Sequence, residues 1–286
     1  MKMVEIQITC ADGFELAGAL YQPDSVKGAV MIAPATGIKR IFYQSLASFL
    51  AENGYGVICF DNRGIGNSKK GSINKVNASL VSWGTLDMPA VLETLKGAFP
   101  DVTCHLIGHS AGGQLAGLMH NATELRSMCN LASSSGSLAN MPWIFKLKAH
   151  WFMNVFIPAN NVFFGHANTQ WVGMGERLPK LVAEQWRKWC NGKGYVEMDF
   201  GKAIQKHWYN DLTFPTQWVH ATDDPIANYK NVQDMIRVYT KIKADIITLD
   251  PDKEGLKDIG HMKFFSSKNK ALWNYVLNWL DSNLEL

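Results

Sequence analysis

The sequence predicts an α/β protein with a mostly parallel, doubly wound sheet and one helical insertion. Three observations carry this prediction. Apolar runs alternate with helical periodicity from residue 28 to residue 132, and again from residue 216 onward. Thr103 to Gln114 reads as a buried strand, a very tight turn and then a helix. Between 137 and 213 the alternation stops and Trp, Phe and Met accumulate, with helical stretches near Trp143–Phe156 and Leu178–Cys190. The expected organisation is a core of residues 1–136 and 214–286, interrupted by a helical cap over 137–213. A connection of that length should be folded rather than a plain loop.

In chain order, residues 3–9 alternate as a strand, Asp12-Gly13 signals a turn, and 15–21 form the hairpin partner. Gly28 to Ala35 is apolar throughout, so it should be a strand buried on both faces. Pro34-Ala35-Thr36-Gly37 is a loop. Arg40 to Glu52 has helical periodicity that Asn53-Gly54 ends. Tyr55 to Phe60 is the next buried strand, and Asp61 to Ser68 a loop that Arg63 should brace. Leu86 to Phe99 is a helix stopped by Pro100. Val102 to Gly108 is a strand, Ala111 to His120 opens a helix, and Met128 to Ala132 is a strand. After the insertion come a strand at Thr216–Ala221, a helix at Asn228–Thr240, a strand at Ala244–Leu249 and a closing helix at Lys270–Ser282. No internal repeat or low-complexity segment interrupts this order.

Gly108-His109-Ser110-Ala111-Gly112 fits the G-x-S-x-G pattern, and the strand before it and the helix after it are the context that pattern needs. A serine hydroxyl is a poor nucleophile unless it is lifted clear of the sheet and offered to a base. A strained strand-to-helix turn does this, and small residues must flank it because side chains at 108 or 112 would collide with neighbouring backbone. The N–H of Ala111, at the helix start, can face a developing oxyanion. The second N–H should come from the loop after the third strand; Thr36 and Ala35 are both candidates.

Ser110 then needs a base and an orienting acid. Of eight histidines, His105 and His220 lie in strands, His120 ends a helix, and His150, His166 and His207 lie in the insertion. His109 is expected to point away from its neighbour Ser110. His261 remains, in a loop between the last strand and the last helix. The acid should follow the strand at Thr216–Ala221, where Asp223 and Asp224 are adjacent. Asp224 is favoured because Pro225 would stiffen the loop that holds it, whereas Asp223 could serve as an Asx turn residue.

The totals exclude several classes. Hydrophobic content of 47% and charged content of 19% over 286 residues suit a globular enzyme and not a disordered chain. A net charge of +3 is too small to argue for nucleic acid. Five cysteines show no framework spacing, and Cys59, Cys104 and Cys129, inside predicted strands, read as small core residues. No run is long and apolar enough to span a bilayer, and the first residues lack the apolar stretch of a signal peptide, so a cytoplasmic location is expected. Gly64-Ile65-Gly66 lacks the third glycine of a dinucleotide fingerprint, Lys69-Lys70-Gly71-Ser72 is not a P-loop, and no zinc spacing occurs, so neither a metal nor another cofactor is expected.

Taken together these residues resemble the α/β-hydrolase superfamily over nearly the whole chain outside the insertion. Asp61 to Ser68 looks like its D-x-R-G-x-G-x-S loop, and Ala221 to Ile226 like its acid turn, which places the acid on Asp224. More narrowly, Pro34 to Gly37, Gly108 to Gln114, Leu178 to Cys190 and Gly260 to Phe265 resemble a bacterial group of predicted α/β hydrolases. The resemblance implies the α/β-hydrolase fold and a triad of Ser110, Asp224 and His261, but no particular substrate. Many superfamily members have His-Gly where this chain has Pro34-Ala35, so the oxyanion loop is not carried over. The expectation is a serine hydrolase acting on an ester, thioester or related acyl bond of a small, largely apolar molecule. An acyltransferase with the same triad and a non-catalytic ligand-binding scaffold are the alternatives. Aromatic residues of the insertion, Trp143, Trp151, Phe152 and Phe156, are expected to wall the substrate pocket.

Overall fold

In the computed structural model, which describes residues 1–284, ten strands form two sheets. In chain order they are β1 (Lys2–Thr9), β2 (Glu15–Gln22), β3 (Gly28–Ala33), β4 (Tyr55–Phe60), β5 (Cys104–His109), β6 (Ser127–Leu131), β7 (His166–Ala167), β8 (Leu178–Pro179), β9 (Pro215–Ala221) and β10 (Lys243–Leu249). Eight of them make one sheet in the order β1-β2-β4-β3-β5-β6-β9-β10, antiparallel through β1, β2 and β4 and parallel from β4 onward. The expected architecture is therefore present, hairpin included. The short β7–β8 pair falls inside the segment where no strand was expected.

Strand periodicity explains why the central strands read as continuous apolar runs. Successive side chains point to opposite faces, and here both faces are covered. In β3, Ala29, Met31 and Ala33 join one core cluster, while Val30 and Ile32 join the other. Helices α1 (Gln44–Glu52) and α9 (Trp273–Asp281) close the second face through Leu46, Leu50, Trp273 and Val276. On the first face, α2 (Leu80–Ser82) runs through a π turn at Trp83–Asp87 into α3 (Met88–Ala98), which buries Val91, Leu92 and Leu95.

Strand register sets the location of any site. Ala33 pairs with Gly108, His109 with Leu131, and Leu131 with Val219. The carboxyl ends of β3, β5, β6 and β9 therefore meet at one edge, where ligands of open α/β sheets bind. Helix α4 after β5 is shorter than expected: Ala111–Gln114, followed by a 3-10 turn at Ala116–Leu118. Gly112, Gly113 and Gly117 disfavour a longer helix. They are small because of packing: a Cβ on Gly117 would lie 2.3 Å from the Tyr209 ring.

Between β6 and β9 the chain forms α5 (Trp143–Trp151), a π turn (Phe152–Phe156) and α6 (Ile157–Phe164) as one continuous helix, then α7 (Lys180–Cys190). The segment touches the sheet edge directly, where the Glu176 N–H donates to the Gly37 carbonyl at 2.8 Å. Helix α8 (Tyr229–Ile236) starts at Asn228, whose side chain accepts from the Asn231 N–H. No helix among the described residues is long and apolar enough to cross a membrane.

Candidate active site

Ser110 stands between β5 and α4 with φ 48° and ψ −111°, a region that side-chain-bearing residues avoid. The surroundings hold it there. Its N–H donates to the Leu131 carbonyl at 3.0 Å, and its carbonyl accepts from the Ser133 hydroxyl at 2.9 Å. The glycines permit the close approach: a Cβ on Gly112 would meet the Ala33 carbonyl oxygen at 2.1 Å, and one on Gly108 the Gly113 nitrogen at 2.4 Å. The strain raises the hydroxyl out of the sheet, where Ser110 Oγ lies 3.1 Å from His261 Nε2.

His261 Nδ1 lies 2.7 Å from Asp224 Oδ2. Asp224 is buried, and its other oxygen accepts the N–H groups of Ile226 and Ala227 at 2.8 and 3.0 Å. Burial alone would raise its carboxyl, but the facing His261 and these two N–H groups reverse the balance and hold it below the usual carboxylate range. The neighbouring aspartates divide the work differently from the expectation. Asp224 faces His261 as expected and also makes the Asx-type turn that Asp223 could have served. Asp223 instead accepts the N–H groups of Ile259 and Gly260, both at 2.9 Å, and so ties down the loop that carries His261.

The two oxyanion candidates separate on one hydrogen bond. The Ala35 N–H donates to Tyr43 Oη at 2.9 Å, so Ala35 has no free donor, which corrects its inclusion. The N–H groups of Thr36 and Ala111 have no hydrogen-bond partner among the described residues.

His109 was set aside as pointing away from Ser110. It does, yet it links three parts of the site. Its Nδ1 lies 2.8 Å from Tyr43 Oη and its Nε2 3.0 Å from the His261 carbonyl oxygen. One assignment of protons satisfies every member: Ala35 N–H donates to Tyr43 Oη, Tyr43 O–H to His109 Nδ1, and His109 Nε2–H to the His261 carbonyl. Complete burial, with the His261 charge as a lesser cause, pushes His109 down to about 3, so it stays neutral. The available signal was strand parity. Residue 109 falls on the same face of β5 as Ile107, the face that α1 and its preceding turn cover.

A cavity of about 840 Å³ opens over Ser110 and His261. Trp151 and Phe152 line it as expected. Trp143 does not, being 71% exposed, and Phe156 lies behind the wall, stacked on Phe152 at 5.6 Å between ring centres. The rest of the wall, unforeseen, includes Met141, Phe145, Met153, Met174, Trp186 and Met262, with Lys148 the charged side chain among its other members. Arg63 stays outside the cavity; it ties its own loop to Asp87 and Asp12, each at 2.6 Å. No three His, Cys, Asp or Glu side chains among the described residues converge as a metal-binding group would.

Comparison with known proteins agrees with this fold. Residues 24–250 match the serine aminopeptidase family S33, an α/β-hydrolase family, and the chain belongs to it. No curated protein matches the sequence. Among solved structures, an esterase of Pyrococcus furiosus is 15% identical, with a TM-score of 0.61 over 100% of this chain and 92% of the other. An esterase from Exiguobacterium antarcticum is 14% identical with a TM-score of 0.61, covering 97% of this chain and 100% of its own. A lipase in its open form is 16% identical with a TM-score of 0.64 over the whole of both chains. At these identities the likeness is one of fold. The protein is an α/β hydrolase.

Proposed function

We propose that the protein is a serine hydrolase that cleaves an ester or thioester of a small, largely apolar acyl group. The observation that carries this reading is the hydrogen-bonded chain from Ser110 Oγ through His261 to Asp224, anchored on a strained turn. In the first step Ser110 Oγ attacks the carbonyl carbon as its proton passes to His261 Nε2. Asp224 fixes the ring and offsets the positive charge that forms. The carbonyl electron pair moves onto oxygen, which the N–H groups of Thr36 and Ala111 receive. Collapse expels the alcohol or thiol, which takes the proton from His261, and leaves an acyl-serine. Water, deprotonated by His261, then releases the acid and restores Ser110.

Segment 137–213 acts as a cap in this scheme, roofing the cavity with Met, Phe and Trp. Among the described residues the walls hold no carboxylate to meet the free amine of a peptide, which favours an acyl substrate without a free amine over an aminopeptidase substrate. The test is covalent labelling by a fluorophosphonate together with hydrolysis of p-nitrophenyl esters. Ser110→Ala should abolish both in a protein that remains folded. Labelling that survives in the folded variant would remove Ser110 from this role.

A further inference from the structure

Exposed apolar side chains are unevenly spread over this molecule. Of the sixteen large hydrophobic residues exposed among the described residues, eleven lie between Trp143 and Leu181. On the long helix they follow helical spacing: Trp143 and Ile144, then Leu147, Trp151 and Val155, are each more than half exposed. Phe163, near the helix end, is 79% exposed. An exposed apolar surface of this size on a folded chain marks a surface that meets something.

The chain segment that carries the stripe has charge of one sign. No Asp or Glu occurs between Glu124 and Glu176, a stretch that carries Arg126, Lys146 and Lys148. The nearest carboxylates beyond it are already engaged, Glu176 with Lys39 and Glu184 with Lys180. Lys148 has no carboxylate partner among the described residues, although it sits at the cavity rim beside Leu147 and Trp151. A second copy of this chain is a poor match. A two-fold contact through the stripe would set each lysine patch against its own image, with no acid to separate them. A lipid surface fits every feature. Acyl chains receive the apolar stripe, tryptophans sit at headgroup depth, and anionic headgroups meet the lysines.

We infer that the helix from Trp143 to Phe164 docks on an anionic lipid surface, with its apolar stripe in the outer acyl layer and Lys146 and Lys148 among the headgroups. Leu147, Trp151 and Val172 belong both to the exposed face and to the cavity wall, so the cavity mouth opens toward that surface. Docking stands on the stripe and its charge alone. Only its consequence, that an acyl substrate enters from the lipid phase, rests on the proposed hydrolase reading.

The experiment uses the full chain carrying Ser110→Ala, so that no lipid is consumed and binding is read apart from turnover. Co-sedimentation is measured with phosphatidylcholine vesicles and with vesicles doped with phosphatidylglycerol. Binding should be tighter on the doped vesicles, weaken in salt, and quench tryptophan emission when the lipid chains are brominated. Trp143→Ser and Phe163→Ser, neither of which lines the cavity, should each lower partitioning by about tenfold. In the Ser110 background those two changes should leave hydrolysis of a water-dissolved short ester unaltered, and circular dichroism checks that they fold. Protein that stays in the supernatant with both vesicles overturns the inference. So does undiminished binding by the double variant. A dimer that the two serines dissolve, in a protein that ignores vesicles, replaces lipid with a second copy.

Discussion

The carboxyl edge of the sheet and the segment between β6 and β9 use similar residues to opposite ends. At the edge, aromatic and polar groups are buried and matched: Tyr43 and His109 are each about 1% exposed or less, and their hydrogen bonds run unbroken to Ala35 and His261. In the segment, Trp143, Trp151 and Phe163 face outward. The edge is over-determined, so a reacting group is held in one place; the segment keeps one face against the cavity and leaves the other to its surroundings. Under the proposed function, rigidity serves the chemistry and apolar reach the substrate. Each experiment below asks whether that division holds.

The largest effect should come from the adjacent aspartates. Asp224→Asn leaves His261 Nδ1 facing an amide and favours the wrong tautomer, so kcat should fall on the order of 10⁴-fold. Asp223→Asn keeps an acceptor for only one of the two N–H groups of Ile259 and Gly260, which bond different carboxylate oxygens, but leaves the Asp224–His261 pair in place, so it should cost about tenfold or less. Steady-state kinetics on one p-nitrophenyl ester decides it. Equal losses would mean that the loop geometry, and not the buried carboxylate, dominates.

Next comes the buried relay. Tyr43→Phe deletes the oxygen that serves both Ala35 and His109, in a site where neither can find water. The loop with Thr36 and the loop with His261 should each drift by a fraction of an ångström. We expect kcat to drop by about 10²-fold with KM little changed, since the cavity wall is untouched. A parallel rise in KM would instead indicate general loosening of the site.

The same burial predicts a response to acid. His109 is pushed down to about 3 and His105 to about 4, both mainly by burial, from an ordinary 6.5. The unfolded chain takes up these protons below pH 6.5 and the folded protein cannot. Stability is therefore fully present above 6.5 and is lost as pH falls toward 4. Each histidine should contribute about 1.4 kcal/mol per pH unit in that window. Urea midpoints from pH 7 to 4.5 should fall less steeply in His109→Gln than in the parent. Identical slopes would show that His109 accepts a proton in the folded state.

Much of the edge was legible in the sequence because short-range sterics encode it. Gly108, Gly112 and the strand before them leave Ser110 one arrangement, and Pro225 follows Asp224 in a turn short enough to read. The Asp223 bonds were not legible, because they end on the backbone N–H groups of Ile259 and Gly260, which no residue type marks, whereas Asp224 meets a histidine side chain. The cavity wall was the least legible part, and the reason is geometric. A π turn at Phe152–Phe156 adds a residue to one turn of the helix, so the periodicity set by Trp143 to Trp151 does not carry through to Ile157. Counting aromatic residues picks Trp151 and Phe152 correctly but adds Trp143, on the outer face, and Phe156; Phe152 and Met153 continue the inward row of Phe145 and Ala149, and the added residue then buries Ile157 in place of Phe156.

The two faces of that helix yield the smallest and most discriminating prediction. Phe152 is 8% exposed, stacks on Phe156 and meets the edge of Trp186, so it is a fixed piece of wall. An acyl chain long enough to reach it gains about fourfold in kcat/KM for each methylene buried. A chain too short to reach it gains nothing. Across p-nitrophenyl acetate to octanoate, kept dissolved as single molecules, the parent should show a rising series. Phe152→Ala should leave acetate within about twofold and lower octanoate by about tenfold, flattening the rise. Trp143→Ala, on the outer face of the same helix, should leave the whole series within about twofold. If Trp143→Ala flattens the rise while Phe152→Ala does not, the helix is rotated relative to the sheet during turnover, and the division between an inner wall and an outer docking face is drawn on the wrong side of it.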